Sequence, residues 1–100
     1  MRRRIARKDK NHDDLKEVFE RLGCSVVDMH ATGIPGWPDM AVGLLGRTHL
    51  VEVKNLENWY GKAGLNSNQT AFGQMWRGGQ IYVVATPEHV MALVQNWRRE

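Results

Sequence analysis

The residues of this chain best suited to do chemistry are two acids and a lysine: Asp39, Glu52 and Lys54. Asp39 follows a proline, twelve residues separate it from Glu52, and Lys54 stands two positions further on in an apolar run. Asp and Glu supply the hard oxygen ligands that Mg²⁺ takes beside waters and a substrate phosphate. Such an ion activates a bound water, and a nearby lysine can orient that water and stabilise the transition state. The pattern therefore predicts metal-dependent phosphodiester hydrolysis.

A β-hairpin would place the three side chains in one pocket. Residues 48–54 are predicted as a strand, and Glu52 and Lys54 leave the same face of it because side chains alternate along a strand. The apolar segment 40–45 can pair with this strand and bring Asp39 beside the other two. The residues that alternate with Glu52 are expected in apolar packing: Val51 and Val53. Two glycines are the predicted turn formers: Gly43 and Gly46.

The same residues also have a purely structural interpretation. Pro38 and Asp39 can form a turn, and Glu-x-Lys is a common pair on an exposed strand. Two features favour a site instead. The predicted strand is otherwise strongly apolar, and the approach over residues 33–38 is rich in glycine, which permits close approach of a ligand or metal.

Three motifs together resemble a known nuclease superfamily. They are Gly-x-Pro-Asp over residues 36–39, Val-Glu-Val-Lys over 51–54 and Leu-Asn-Ser-Asn-Gln over 65–69. The combination resembles the PD-(D/E)xK superfamily and, within it, the small stand-alone VRR-NUC type of phages and bacteria, from Asn11 to about Val94. The resemblance implies a restriction-endonuclease-like fold that hydrolyses DNA with Mg²⁺ or Mn²⁺.

The resemblance also implies roles for individual residues. Asp39 and Glu52 would be metal ligands, Lys54 the catalytic lysine, and the carbonyl of Val53 a further ligand. The family's first helix commonly adds an acidic residue to the metal site, and Asp14 falls on that position as an outer ligand. An acid in the first helical turn is equally explained by its favourable interaction with the helix N-terminus.

Gln69 has two possible uses. Asn66 and Gln69 have the spacing of a capping box at the start of the second predicted helix. The resemblance adds a catalytic role, because the family usually carries glutamine here, near the metal-bound water or the scissile phosphate. Capping would turn the amide toward the first-turn backbone, whereas catalysis requires it to face Lys54.

Hydrophobic periodicity predicts one α/β domain over residues 11–100, with the order αβββαβα around a small mixed sheet flanked by helices. The first helix is predicted over residues 11–22, with Asn11 as its N-cap and His12 exposed on its first turn. A hundred residues can bury one core but leave no room for a separate DNA-reading module.

Residues 1–10 are predicted to form a flexible basic arm. They hold six of the fourteen basic residues and one acid, so they carry +5 while the remainder carries −2 of the net +3. Such an arm suits contact with phosphates, although a charge run also suits a solvated tail. The predicted nucleic-acid-binding residues are Arg2, Arg3, Arg4, Arg7, Lys8, Lys10 and Lys62.

Several other classes of protein are disfavoured. No apolar run approaches a membrane span, and the basic N-terminus lacks the apolar segment of a secretory signal. The single cysteine, Cys24, is expected to be buried in a reducing compartment, the cytoplasm of a bacterium or phage-infected cell.

The sequence therefore predicts a metal-dependent endodeoxyribonuclease. The resemblance implies a homodimer acting on branched DNA, four-way junctions above all, and symmetric cutting of two strands by one site per subunit would need a two-fold dimer. One alternative is a nicking or general nuclease that assists phage DNA processing. Another is a nuclease-like DNA-binding subunit with weak turnover.

Overall fold

The computed structural model describes residues 10–29, 32–56 and 67–100. Over these ranges the chain forms α1 (Lys10–Arg21), β1 (Ser25–Asp28), β2 (Met40–Leu44), β3 (Arg47–Val53), α2 (Ser67–Met75), β4 (Ile81–Val84) and α3 (Pro87–Arg99). The predicted order αβββαβα is confirmed. None of the helices described is long and apolar enough to cross a membrane.

Most of the predicted nucleic-acid-binding residues lie outside the described ranges. These are Arg2, Arg3, Arg4, Arg7, Lys8 and Lys62. Lys10 is the first residue of α1, one position before the predicted start of the domain.

The four strands form one mixed sheet, as predicted. Their order is β1-β2-β3-β4, with antiparallel pairing among the first three strands and parallel pairing between β3 and β4. The chain passes through α2 between the two parallel strands, which is the kind of crossover that parallel pairing requires. In the central hairpin Met40 lies opposite Val51, and this register positions the candidate site.

The main core lies where α1 and α3 pack against the sheet. Alternate residues of the central hairpin enter it, because side chains on a strand alternate between faces. Val51 is fully buried and Val53 is 8% exposed, which confirms the apolar packing predicted for both. The helices contribute Leu15, Phe19, Val90, Val94 and Trp97 to the same cluster. Burial of one such side chain stabilises the fold by about 1.5–3 kcal/mol.

The turn of the β2–β3 hairpin differs from the prediction at one glycine. Leu45 and Gly46 form a two-residue turn, and both have positive φ, 52° and 82°. Gly43 lies inside β2, where it pairs with Ser25 on one side and Thr48 on the other, so its assignment to the turn was wrong. The cause is the register, which leaves only two residues for the turn.

Replacing Leu45 by asparagine is expected to raise the free energy of unfolding by about 0.5–1 kcal/mol, because a left-handed backbone costs an ordinary L-residue about 1–2 kcal/mol and asparagine tolerates it better. Leu45 is 69% exposed, so no buried contact is lost. Urea unfolding measures the change. Leu45→Ala, which keeps the backbone penalty, is the control and should show no such gain; equal stability of the two variants would contradict the prediction.

Candidate active site

The hairpin register places Asp39 opposite Glu52. Asp39 immediately precedes β2, and the pairing of Met40 with Val51 carries one residue further to these two acids. The backbone N–H of Val53 donates to Asp39 Oδ2 over 2.7 Å, which fixes the Asp39 carboxylate against β3. Glu52 alternates with the core residues Val51 and Val53, yet it is only 4% exposed. The two carboxyl groups therefore share a largely closed space on the sheet face away from the main core.

Lys54 and Gln69 complete the group around Glu52. Lys54 directly follows β3, and its Nζ lies 3.8 Å from Glu52 Oε2, with the lysine side chain 17% exposed. Gln69, the third residue of α2, donates from Nε2 to the same oxygen. Its amide therefore meets the same carboxylate oxygen that Lys54 approaches, and its active-site role stays a prediction. The structure thus brings together the four residues that the sequence predicted to be catalytic.

Gly36 and Trp37 hold α2 over this face of the sheet. Gly36 has φ +82°, and a Cβ placed there would lie 2.2 Å from the carbonyl oxygen of Asn68, so only glycine permits this approach. The Trp37 ring contacts Phe72 edge-on with centroids 5.2 Å apart. The glycine-rich approach predicted from the sequence therefore positions the helix that carries Gln69.

The environment of Glu52 favours its protonated form. Burial raises the pKa of this carboxyl most, and the adjacent Asp39 carboxylate raises it further. Lys54 and the Gln69 amide lower it only in part, and the resulting pKa is about 8. Strongly perturbed carboxyl groups in a polar cleft are a frequent mark of functional sites.

A divalent cation fits this donor set. Glu52 Oε1 is buried, and no hydrogen-bond partner reaches it among the described residues. An ionised carboxylate oxygen left in this way is costly, and a bound cation would offset the cost. Two adjacent carboxylates are also the ligands that Mg²⁺ and Mn²⁺ take in proteins, with water and phosphate filling the other positions.

Asp14 is not part of this carboxylate pair. It is an exposed residue of α1, and no group of three or more His, Cys, Asp or Glu side chains suited to a metal occurs within the described part of the chain. The side chains that converge on the site from the strands are thus Asp39 and Glu52. An outer role for Asp14, through a bridging water, stays a prediction.

Asn11 is the residue that the sequence analysis missed. It lies inside α1 rather than capping it, and its Nδ2 donates to the carbonyls of Lys54, at 2.9 Å, and Ala85, at 3.1 Å. These bonds join the start of α1 to the ends of β3 and β4, directly at the candidate catalytic lysine. The sequence carries no signal for this, because asparagine at the start of a helix indicates a cap.

Replacing Asn11 by alanine is expected to lower the free energy of unfolding by about 1–3 kcal/mol, because two partly buried hydrogen bonds, each worth about 0.5–1.5 kcal/mol net, are lost. Chemical denaturation measures this change. Glu20→Ala, at an exposed position of the same helix, is the matched control and should stay within about 0.5 kcal/mol of the parent. Equal stability of both variants would contradict a joining role for Asn11.

His12 was predicted to be exposed, and it is buried. It is 3% exposed, and its Nε2 lies 2.6 Å from Asp28 Oδ1, while Lys16 donates to Asp28 Oδ2 over 3.2 Å. Burial pushes the pKa of Asp28 upward, but hydrogen bonds from His12 and Lys16 outweigh it and hold that pKa at about 2. The reason is that α1 packs against β1 through this end, so Asp28 joins the two elements.

One comparison with solved structures identifies a similar protein. A structure described as a "VRR_NUC domain" is 30% identical to this chain and superposes with a TM-score of 0.69. The alignment covers 88% of this chain and 94% of the other. No protein-family model matches the sequence, and no curated protein matches it.

Proposed function

Since the chain belongs to the VRR_NUC family of PD-(D/E)xK-type nuclease domains, we propose that it is a metal-dependent endodeoxyribonuclease that acts on branched DNA. One observation carries the proposal: Lys54 and Gln69 converge on one oxygen of buried Glu52, whose other oxygen has no partner among the described residues. A buried cluster of this kind is costly to maintain in a fold that only binds DNA.

Asp39 and Glu52 would hold Mg²⁺ or Mn²⁺, together with the carbonyl of Val53. When bound, the ion would activate a water and neutralise charge on the scissile phosphate. The chain's own groups position the reaction. The Val53 N–H fixes the Asp39 carboxylate, and the Gln69 amide fixes Glu52 through Oε2, which leaves Oε1 available as a ligand.

Lys54 carries the charge that acts directly on the substrate. Its ammonium group is largely buried beside Glu52, where a positive charge interacts more strongly than it would in water. There it would orient the attacking water and stabilise the negative charge that develops on the phosphate oxygens. The basic residues predicted from the sequence at positions 1–10, with Lys62, would contact the phosphates of the DNA backbone.

We infer that the protein acts as a homodimer and that its substrate is a four-way junction, because a symmetric junction is resolved by two symmetric cuts. One site in a chain of 100 residues cuts one strand at each binding event. Two symmetric cuts across a branch point need two sites related by a two-fold axis, and the two-fold dimer is the commonest assembly among soluble proteins.

The test is cleavage of four end-labelled substrates, each with Mg²⁺ or Mn²⁺: a four-way junction, a nicked duplex, a linear duplex and a single strand. Paired symmetric cuts in the junction are expected. Equal cleavage of all four substrates would replace branched-DNA selectivity by a general nuclease activity. Binding of DNA without cleavage of any substrate would overturn the enzymatic proposal in favour of a DNA-binding subunit.

A further inference from the structure

A pocket of about 270 Å³ opens beside the candidate catalytic groups and extends along α2. Glu52, Gln69 and Trp76 are among the residues that line it. The remaining lining includes Gly73, Gly79 and Gln80. A molecule in this pocket would therefore touch the same carboxylate and amide that surround the reaction centre.

The pocket follows one face of α2. Gln69, Gly73 and Trp76 are spaced i, i+4 and i+7, and the bond from the Trp76 N–H to the Phe72 carbonyl, 2.9 Å, continues the helical pattern to Trp76. Gly73 leaves a gap in the middle of this face, because a Cβ built there meets nothing within 4 Å. The same is true of Gly79. The space between the carboxylate and the tryptophan is open because glycines line it.

Trp76 is held in place yet still accessible. Its ring stacks on Phe72 with centroids 5.4 Å apart and meets Trp37 edge-on at 5.9 Å. A Cβ on Gly78 would lie 2.6 Å from the Trp76 Nε1, so Gly78 packs directly against the ring. Trp76 nevertheless stays 36% exposed. A fixed, accessible indole that lines the same pocket as the Gln80 side chain offers an apolar surface beside a hydrogen-bonding group.

We propose that this pocket receives one unpaired base of the substrate, whose neighbouring phosphate lies at Asp39, Glu52 and Lys54. The inference rests on the proposed function and specifies its substrate. A base inside a duplex is stacked on both sides and cannot enter a pocket, whereas an unpaired base can be splayed out and bound by aromatic and amide groups. Gln80 lines the pocket together with Trp76, and its amide would hydrogen-bond the base edge.

The consequence is a preference for DNA that has an unpaired nucleotide beside the scissile phosphate. Contact of one base with aromatic side chains is worth about 5- to 150-fold in affinity. A continuous duplex offers no such base, while a bulge or an opened branch point does. The pocket thereby gives the site a physical means of discriminating branched from regular DNA.

Binding assays with the Lys54→Ala protein test the inference without cleavage. Fluorescence anisotropy would compare an intact duplex, the same duplex with one bulged adenosine, and that duplex with an abasic nucleotide in the bulge. The adenosine bulge is expected to bind about 5- to 150-fold more tightly than either of the others. Equal affinity for the adenosine and abasic bulges would overturn the inference, because the protein would then recognise only DNA shape.

Two substitutions on α2 localise the effect. Gly73→Leu fills the pocket from a position without steric conflict and is expected to remove the preference for the adenosine bulge. Ala71→Leu adds the same side chain at an exposed position on the opposite side of the helix and should keep the preference. An undiminished preference in Gly73→Leu would overturn the inference, and Gly79→Val repeats the test from the other wall if Gly73→Leu does not fold.

The inference and the proposed function fail in different ways. Junction cleavage by the wild-type protein, with no base-dependent binding, would overturn the pocket assignment and leave the nuclease standing. Base-dependent binding that Gly73→Leu abolishes would support the pocket even if the wild-type protein cleaved none of the substrates.

Discussion

Replacing Lys54 by alanine is expected to lower the rate of junction cleavage by about 10²–10³-fold, because removal of one positioned donor to transition-state charge costs about this much in other enzymes. The Lys54 Nζ lies 3.8 Å from Glu52 Oε2, the same oxygen that accepts a hydrogen bond from Gln69. Single-turnover kinetics with saturating enzyme measure the chemical step apart from DNA binding. The affinity for DNA should fall far less than the rate, since one charge among many phosphate contacts is lost.

Two further variants make the Lys54 result specific. Arg99→Ala removes one positive charge from an exposed position at the end of α3. Its cleavage rate should stay within a factor of about 2 of the parent's, because solvent and salt screen the interactions of an exposed charge. Lys54→Arg keeps the charge but changes its shape, so it should restore only part of the activity. A Lys54→Ala rate within about threefold of the parent would contradict a catalytic role.

Much of the fold could be predicted because its determinants are local. The alternation of apolar residues along β2 and β3 and the helical stripe of α1 act over a few positions each. The spacing of Asp39 from Glu52 then sufficed to align the acids across a hairpin. The turn was partly misassigned because the exact register depends on pairing along the whole strand. The observed register puts Leu45, an unfavourable residue for a left-handed backbone, in the turn beside Gly46, and leaves Gly43 inside β2.

The unpredicted parts of the site depend on contacts between residues distant in sequence. Asn11 reaches carbonyls 43 and 74 positions away, and nothing near it in the chain indicates those partners. His12 is buried only because α1 packs its first turns against β1. The pocket beside Glu52 is lined by both Gly73 and Gly79, although each glycine alone would be interpreted as a weak helix position or a loop.

In metal-free buffer, replacing Glu52 by glutamine is expected to stabilise the protein at pH 8 and above. The pKa of Glu52 is raised from 4.5 to about 8, chiefly by burial and then by Asp39. The folded state therefore holds a proton that the unfolded state releases, so this group's contribution to stability is fully present below pH 4.5 and is lost as the pH rises to 8. The slope is about 1.4 kcal/mol per pH unit, or roughly 2 kcal/mol between pH 6.5 and 8.

This pH window separates Glu52 from the other perturbed groups. Burial lowers the pKa of His49, so protonation of this group changes the stability only at pH values below 6.5. The pKa of Asp28 is about 2, so Asp28 changes the stability at lower pH still. Burial raises the pKa of Cys24 from 9.0, which places its titration at higher pH. Urea unfolding at pH 6.5, 7.25 and 8 in the presence of EDTA should show a falling stability in the parent and in Glu20→Gln, but a nearly constant one in Glu52→Gln.

Added Mg²⁺ should reverse the order of stability. A cation that binds the folded state stabilises it by RT ln(1 + [L]/Kd), and binding at Glu52 must displace the proton that burial retains there. The gain in the parent should therefore grow as the pH rises toward 8, whereas Glu52→Gln has no second carboxylate to offer and should gain little. Equal stabilisation of both proteins by Mg²⁺ would exclude Glu52 as a ligand. If Glu52→Gln were less stable than the parent in EDTA at pH 8, the prediction would be wrong. The contacts of Glu52 in the folded protein would then stabilise its ionised carboxylate.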